Sequence, residues 1–355
     1  MLKNIIYLLP AQKFPSGGAR VIYKHSNLIN NFNIKNLSSS IIHYKKRRSS
    51  KYLESIKKKL SFKNNNESFG YNFKDFTIIK NFKPRNEFVN EIIVNKNNLK
   101  FDKKKDFIIF PEIIAHFAKD ICHKSNIKYA VFTQGIYHMH QTNNLKLLND
   151  VYDKAEFLID TSKDTRKCFL DIYPSFLKKK ILKIDLSVDP KQYTFSKYKK
   201  NIITCMPRKC VADYHLLKFF IQKKIPKSWK IIALENMSNK EVAKHLSISK
   251  IFLSFSNFEG LGLPPIEAAI CGNKVIGYTG EGGKEYFKSP LFEIVYKGDI
   301  YDFSNKIANN IKILKRDWHL MTDNQNARLR LIKKYSKLRE ANSLKKIVQN
   351  ILKII

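Results

Sequence analysis

Short apolar runs punctuate this chain at NIIYLLP (Asn4–Pro10), FIIFP (Phe107–Pro111), YAVF (Tyr129–Phe132), EFLID (Glu156–Asp160) and ILKIDL (Ile181–Leu186). They are rich in Ile, Val and Phe and largely lack the alternation of a half-exposed sheet, which predicts strands buried on both faces. Between them lie helical patterns such as ARVIYKHSNLINNF and SKDTRKCFLDIY. The pattern then restarts with NIITCMP, WKIIALE, KIFLSFS, NKVIGY and FEIVYKG, again with helical stretches between. Strand–helix alternation of this kind predicts βαβ units and parallel sheets. The break falls at SVDPKQYTFSKYKKN, which is polar and carries a proline and a lysine cluster. The expectation is an α/β protein of two doubly wound, Rossmann-like domains, 1–190 and 191–340, facing each other across a cleft. Residues 341–355 form a terminal helix that could cross back. Between Lys45 and Val94 the pattern supports only weak strands, around Thr77 and Ile93, and the tail from Lys312 reads as mostly helix.

Composition narrows the class. The 355 residues are 43% hydrophobic and 12% aromatic, enough for two buried cores. No apolar run approaches the roughly 18 residues that span a bilayer, and the opening MLKNIIYLLP reads as a first strand because it ends at Pro10 without a small-residue cleavage site. The five cysteines form no C-x-x-C pair, which suits reduced thiols in a cytoplasmic protein. The formal net charge is +36, with lysine runs at Lys45–Lys51, Lys57–Lys59, Lys103–Lys105 and Lys178–Lys180. Such a surface attracts anionic lipid or nucleic acid. Asparagine-rich stretches such as SFKNNNES point equally to a compositional bias toward Lys, Asn and Ile.

The densest chemistry lies in KIFLSFSNFEGLGLPPIEAAICG, which reads as a strand, a glycine-bearing loop and a helix. Pro264 or Pro265 suits a first helical turn and Gly272 a position just past a helix end. That places Glu259 in the loop above the strand and Glu267 in the helix's first turn. Carboxylates there accept hydrogen bonds from a cis-diol, and free helix N–H groups favour a phosphate. The helix dipole alone explains Glu267 but gives no reason for Glu259.

FEGLGLPPIEAAICGNKVIG resembles the E-x7-E segment of retaining GT-B glycosyltransferases of the family 4 type. The resemblance is dense over about 30 residues and faint elsewhere. It implies that Glu267 binds the ribose of a nucleotide sugar and Glu259 contacts the transferred sugar. Gly260, Leu261 and Gly262 would offer N–H groups to the sugar and phosphates. FPSGGARVIY, after the first strand, carries Gly17 and Gly18, whose turn lets backbone approach a phosphate. NIITCMPRKC places Arg208 and Lys209 after the first strand of the second domain, where similar enzymes neutralise the donor diphosphate. Those enzymes space arginine and lysine apart with a glycine following, whereas here the two are adjacent. YTGEGGKEYF supplies Gly282 and Gly283, with Glu285, to close the sugar-phosphate pocket, and Glu235 or Asn236 would lie beside the base.

In YAVFTQGIYHMHQ, Gln134 stands where many relatives have a histidine near the reacting sugar. His138 and His140 lack a third ligand, so they read as packing or a solvated loop. No Asp-x-Asp motif is present, and no metal or other cofactor is expected. The resemblance implies transfer of a sugar from a nucleoside-diphosphate sugar to a hydroxyl acceptor, with retention, in lipopolysaccharide, capsule or other surface-glycan synthesis. The acceptor would be a glycan or lipid-linked, and the location cytoplasmic, with the Lys45–Lys59 cluster suited to peripheral contact with an anionic membrane. Two other classes remain open: a basic nucleic-acid-binding protein, though no zinc-finger, helix-turn-helix or RNA-binding motif is present, and a GT-B scaffold that binds nucleotide sugar without turnover. An enzyme of the same fold that hydrolyses or epimerises the nucleotide sugar is a further variant.

Overall fold

The structure is a computed structural model that describes residues 2–13, 15–46, 76–79, 101–142, 144–174, 180–316 and 324–355. The expected strand near Ile93 and the lysines from Lys51 to Lys59 lie outside the described residues. The chain divides into two compact units. The first comprises Met1–Thr161, Arg166–Ile184 and Ala341–Ile355, and the second Ser162–Thr165 with Asp185–Glu340.

Among the described residues the first unit holds seven strands: β1 (Lys3–Pro10), β2 (Leu37–Lys46), β3 (Phe76–Ile79), β4 (Asp106–Pro111), β5 (Lys128–Thr133), β6 (Phe157–Asp160) and β7 (Ile181–Lys183), in the order β3-β2-β1-β4-β5-β6-β7. All neighbours pair parallel except β2 and β3, which are antiparallel. Ile6, Leu8, Ile108, Phe110, Val131 and Leu158 form one side of the core, against Phe117, Tyr152 and Phe169. Helices α1 (Gly17–Asn31), α2 (Leu145–Lys154) and α3 (Lys163–Ile172) connect the strands.

Strand β2 was not among the expected strands, because LSSSIIHYKK begins with three serines. Ser38 and Ser39 are satisfied locally. Ser38 Oγ donates to Asn4 Oδ1 at 2.5 Å, and Asn30 of α1 brackets Ser39, accepting from its N–H at 2.7 Å and donating to its carbonyl at 2.8 Å. Half-buried Ser38 and buried Ser39 are thus compatible with an interior strand because they are partnered, whereas the hydroxyl of Ser40, also buried, has no hydrogen-bond partner.

Among its described residues the second unit has five parallel strands, β8 (Lys200–Cys205), β9 (Lys230–Ala233), β10 (Ser249–Glu259), β11 (Lys274–Glu281) and β12 (Phe292–Ile294), in the order β12-β11-β10-β8-β9. Its helices are α4 (Val211–Ile221), α5 (Asn239–Ile248), α6 (Leu263–Ile270), α7 (Ile300–Arg316) and α8 (Gln325–Lys334). Ile203, Ile251, Leu253 and Ile276 pack with Leu217, Ile221, Phe303 and Ile307. Half-buried Lys199 donates to the carbonyls of Leu246 (3.2 Å) and Cys271 (2.6 Å), the C-terminal ends of α5 and α6. Burial pushes its ammonium down to about 7.

A last helix, α9 (Lys337–Leu352), begins in the second unit and continues in the first. In the second unit, Ser187 Oγ donates to the buried Glu340 carboxylate at 2.5 Å. In the first, Lys3 Nζ donates to the carbonyls of Leu352 (3.2 Å) and Ile355 (2.6 Å), and Lys128 Nζ to that of Ile354. Cations therefore meet the carbonyl end of the helix, where the backbone dipole favours them.

Candidate functional site

In the second unit the chain leaves β8 for β9 on one side and returns to β10 on the other. The carboxyl ends of β8 and β10 therefore flank the topological switch point, where doubly wound sheets bind their ligands. A 3-10 turn, Pro207–Lys209, follows β8 and leaves Arg208 and Lys209 exposed. Glu259 is the final residue of β10 rather than a loop residue, reached through a register shift after Ser256. Lys209 Nζ lies 2.7 Å from Glu259 Oε1.

Beyond Glu259 the chain turns sharply. Gly262 is the N-cap of α6 with φ of 76°, a left-handed conformation that glycine adopts without strain. Phe258 (49°) near the end of β10 and Gly280 (64°) and Glu281 (71°) at the end of β11 share that region, so the two strand ends and the turn into α6 carry four left-handed residues, two of them not glycine. The loops that follow these strands touch closely: a Cβ on Gly282 would lie 1.8 Å from the Gly260 carbonyl oxygen. Leu261 is buried, as are Gly260, Gly282 and Gly283. Tyr286 donates its hydroxyl to the Gly262 carbonyl at 2.6 Å. Its phenol is pushed far up by burial and by Tyr335, Glu259, Glu285 and Glu267 around it.

Pro264 and Pro265 occupy the first turn of α6, as expected, and Gly272 follows its end with φ of 83°. Glu267 is the fifth helical residue, just past the first turn in which it was expected, and half-buried. Glu285 is held by the protein itself: its Oε1 accepts from the Tyr335 hydroxyl at 3.3 Å and lies 3.5 Å from Lys334 Nζ. Glu235 and Asn236 lie exposed after β9. A third cation at this edge, Lys297, went unassigned from sequence. It donates to Asn257 Oδ1 at 2.7 Å and sits 5.2 Å from the centre of the Phe258 ring. Its position at the end of FEIVYKG, a strand run entering a helix, was the available signal.

The first unit has its own switch point, between β1 and β4. Gly17 and Gly18 open α1, whose N-cap Ser16 accepts from the Ala19 N–H. Gln134, just past β5, donates through Nε2 to the Gly18 carbonyl at 3.1 Å. The approach requires glycine: a Cβ on Gly18 would meet Gln134 Oε1 at 2.4 Å. The Gln134 N–H in turn donates to Glu112 Oε2 at 3.1 Å. Glu112, buried immediately after β4, was not singled out from sequence, though a carboxylate directly following the apolar FIIFP was the signal. Burial pushes its carboxyl up to about 7, against the lowering effect of N–H groups from Gln134, Glu112 itself and Gly135. The structure thus joins Gly18, Gln134 and Glu112 in one unit, and Lys209 with Glu259 and the Gly260–Gly262 and Gly282–Gly283 loops in the other. His138 packs beneath Gly135, within 2.9 Å of where its Cβ would be. Among the described residues no group of three or more His, Cys, Asp or Glu side chains could hold a metal ion.

Residues 220–333 match the model of the glycosyl transferases group 1 family. A mutant of S. aureus TarM, solved with Fondaparinux, α-GlcNAc-glycerol and UDP, superposes with a TM-score of 0.65 over 99% of both chains at 15% identity. Anabaena Alr3699/HepE, solved with UDP, gives 0.62 over 99% of this chain and 100% of that one at 12% identity. The fold is that of the GT-B glycosyltransferases. An α-1,6-glucosyltransferase of Actinobacillus pleuropneumoniae serotype 7 (strain AP76) is 28% identical over 109 residues, 29% of this chain and 33% of that protein. The chain thus spans about a third of that relative's length. The group 1 match contains β9 through α8, and with them Glu259, Glu267, Gly282 and Gly283, while Arg208 and Lys209 precede it.

Proposed function

We propose that this chain is a glycosyltransferase that moves a sugar from a nucleoside-diphosphate sugar to a hydroxyl acceptor. The observation that carries the proposal is the Lys209–Glu259 pair at the switch point of the unit that contains the group 1 match. Cation and carboxylate stand where a diphosphate and its sugar would arrive together, beside a glycine-lined helix start. Both TarM and HepE were solved with UDP, which favours a uridine nucleotide as the first to test.

In this reading Glu267 accepts hydrogen bonds from the ribose hydroxyls and Glu259 from the sugar. The bond between the anomeric carbon and the β-phosphate oxygen breaks as a bond to the acceptor oxygen forms. The acceptor's proton passes to the departing diphosphate. Arg208 and Lys209 oppose the charge that grows there, a role that lowers barriers when the cations are already in place. The first unit serves the acceptor side, with Gln134 toward the reacting sugar, while its Gly17-Gly18 turn approaches the diphosphate. Retention, the family 4 type, independence from metal and a role in surface-glycan synthesis belong to the same proposal.

Calorimetry with UDP, GDP, dTDP and ADP tests it, repeated on Glu267→Ala and Arg208→Ala. One nucleotide should bind the wild type, and each variant should lose about tenfold to a hundredfold, as loss of a charge-assisted contact implies. Equal, weak binding of all four by wild type and variants alike would mark mere attraction of polyphosphate to a +36 protein, and the transferase reading would fail.

A further inference from the structure

Helix α4 presents an apolar face to solvent. A helix on an α/β sheet normally buries one apolar stripe and turns charge outward. In VADYHLLKFFI, Leu217 and Ile221 are buried in the core of the second unit, yet Leu216, Phe219 and Phe220 are 48%, 68% and 39% exposed. At about 100° per residue these three fall within roughly a third of the helix circumference, away from the buried pair. Val211 at the start of the helix is also exposed, and so is Tyr301 of α7, which packs against α4. Scattered exposed apolar residues are ordinary, whereas a contiguous group on one face marks an interaction surface.

The surroundings identify its chemistry. From Tyr214 to Leu234 the chain carries Lys218, Lys223, Lys224, Lys227 and Lys230 and no Asp or Glu. Lys224 Nζ is 5.3 Å from the centre of the Tyr301 ring, and Lys218 Nζ is 5.5 Å from that of Tyr214. Exposed aromatic and aliphatic groups on a helix followed by a lysine-only charged segment suit the boundary between acyl chains and anionic headgroups, where rings enter the apolar layer and ammonium groups stay with phosphate. A second copy of this chain fits poorly. A two-fold contact through this helix would bring its lysine-rich segment near the same segment of the other copy, and like charges facing each other oppose association. No helix among the described residues is long and apolar enough to cross a membrane, so the contact would lie along the surface.

We propose that α4, through Leu216, Phe219 and Phe220 with the lysines around them, docks this protein on an anionic lipid surface. The assignment is independent of the nucleotide reading and differs from the Lys45–Lys59 cluster, since it names apolar groups that enter the interface.

Co-sedimentation of the full chain tests it, using vesicles of phosphatidylcholine alone and of phosphatidylcholine with phosphatidylglycerol. The variants are Phe219→Ser/Phe220→Ser and Lys223→Glu/Lys227→Glu, each checked for an unchanged thermal midpoint, with sedimentation velocity on the lipid-free protein. The wild type should bind only the anionic vesicles. The phenylalanine variant should lose at least about tenfold in partitioning and retain that deficit in high salt. The lysine variant should lose binding mainly in low salt. Three results would overturn the proposal. Wild type that ignores anionic vesicles is the first. The second is a phenylalanine variant that binds like wild type, leaving the attraction to bulk charge. The third is a lipid-free wild type that self-associates while the phenylalanine variant is monomeric, which would assign the face to a second copy.

Discussion

Lys209 Nζ and Glu259 Oε1 meet at 2.7 Å, although fifty positions separate the two residues in the chain. Two parallel strands bring them together at the one place in the sheet where the crossovers diverge. Their side chains are 33% and 31% exposed. At such exposure an ion pair adds at most about 1 kcal/mol to stability, so its position is better explained by chemistry than by the fold. Lys209→Ala should therefore leave the thermal midpoint within about 3 °C while lowering kcat about a hundredfold or more, the scale of a lost charge-stabilising group. Donor turnover measured beside thermal denaturation separates the two. A large fall in stability with little change in kcat would make Lys209 a structural partner of Glu259.

Glu267 carries a more selective prediction. If its carboxylate accepts from the ribose hydroxyls, the wild type should bind UDP about tenfold or more tighter than 2′-deoxy-UDP. Glu267→Ala should bind both equally. Competition calorimetry reads the difference directly, and a variant that still discriminates would remove Glu267 from the ribose.

The sequence exposed the architecture through its strands. NIIYLLP, FIIFP and YAVF are apolar on both faces because helices cover both sides of a parallel sheet, and no alternation was needed to find them. LSSSIIHYKK escaped because Ser38 and Ser39 are satisfied by Asn4, Ser26 and Asn30, partners that periodicity cannot supply. The same holds at the sites. The spacing of Glu259 and Glu267 is local and could be read directly. The Lys209–Glu259 contact and the Glu112–Gln134–Gly18 chain arise only when strands distant in sequence become neighbours. Glu267 falls just past the first turn because α6 begins at Leu263, with both prolines inside that turn.

Two glycines at the candidate sites should respond oppositely to alanine. At Gly282 the new methyl would lie 1.8 Å from backbone, the Gly260 carbonyl oxygen, and backbone must move to admit it. Gly282→Ala should cost about 2 kcal/mol or more in stability and weaken nucleotide binding as the α6 entry shifts. At Gly18 the methyl meets only the end of the Gln134 side chain, which can swing away. Gly18→Ala should stay within about 1 kcal/mol of wild type but lower turnover about tenfold or more by displacing Gln134. Chemical denaturation and steady-state kinetics on both variants check the contrast. A Gly18→Ala protein with unchanged kinetics would show that Gln134 has no part in the reaction.

Glu112 gives the pH dependence a sign. In the folded chain burial holds its carboxyl at about 7, against an ordinary value near 4.5. Between those values the folded state binds more protons than the unfolded one. The stability associated with this group is therefore fully present below about pH 4.5 and declines as pH rises to about 7. The difference of 7 − 4.5 corresponds to about 3 kcal/mol. Three backbone N–H groups then hold the ionised form in place, so the same group that weakens the fold at neutral pH orients Gln134 there. Glu112→Gln keeps an acceptor for the Gln134 N–H and cannot ionise. Its stability should change less than that of the wild type between pH 4.5 and 7, with the gap in favour of the variant widest above pH 7. Urea denaturation of both proteins across that range measures it. Parallel curves would mean that Glu112 is ionised throughout and that burial does not govern its proton.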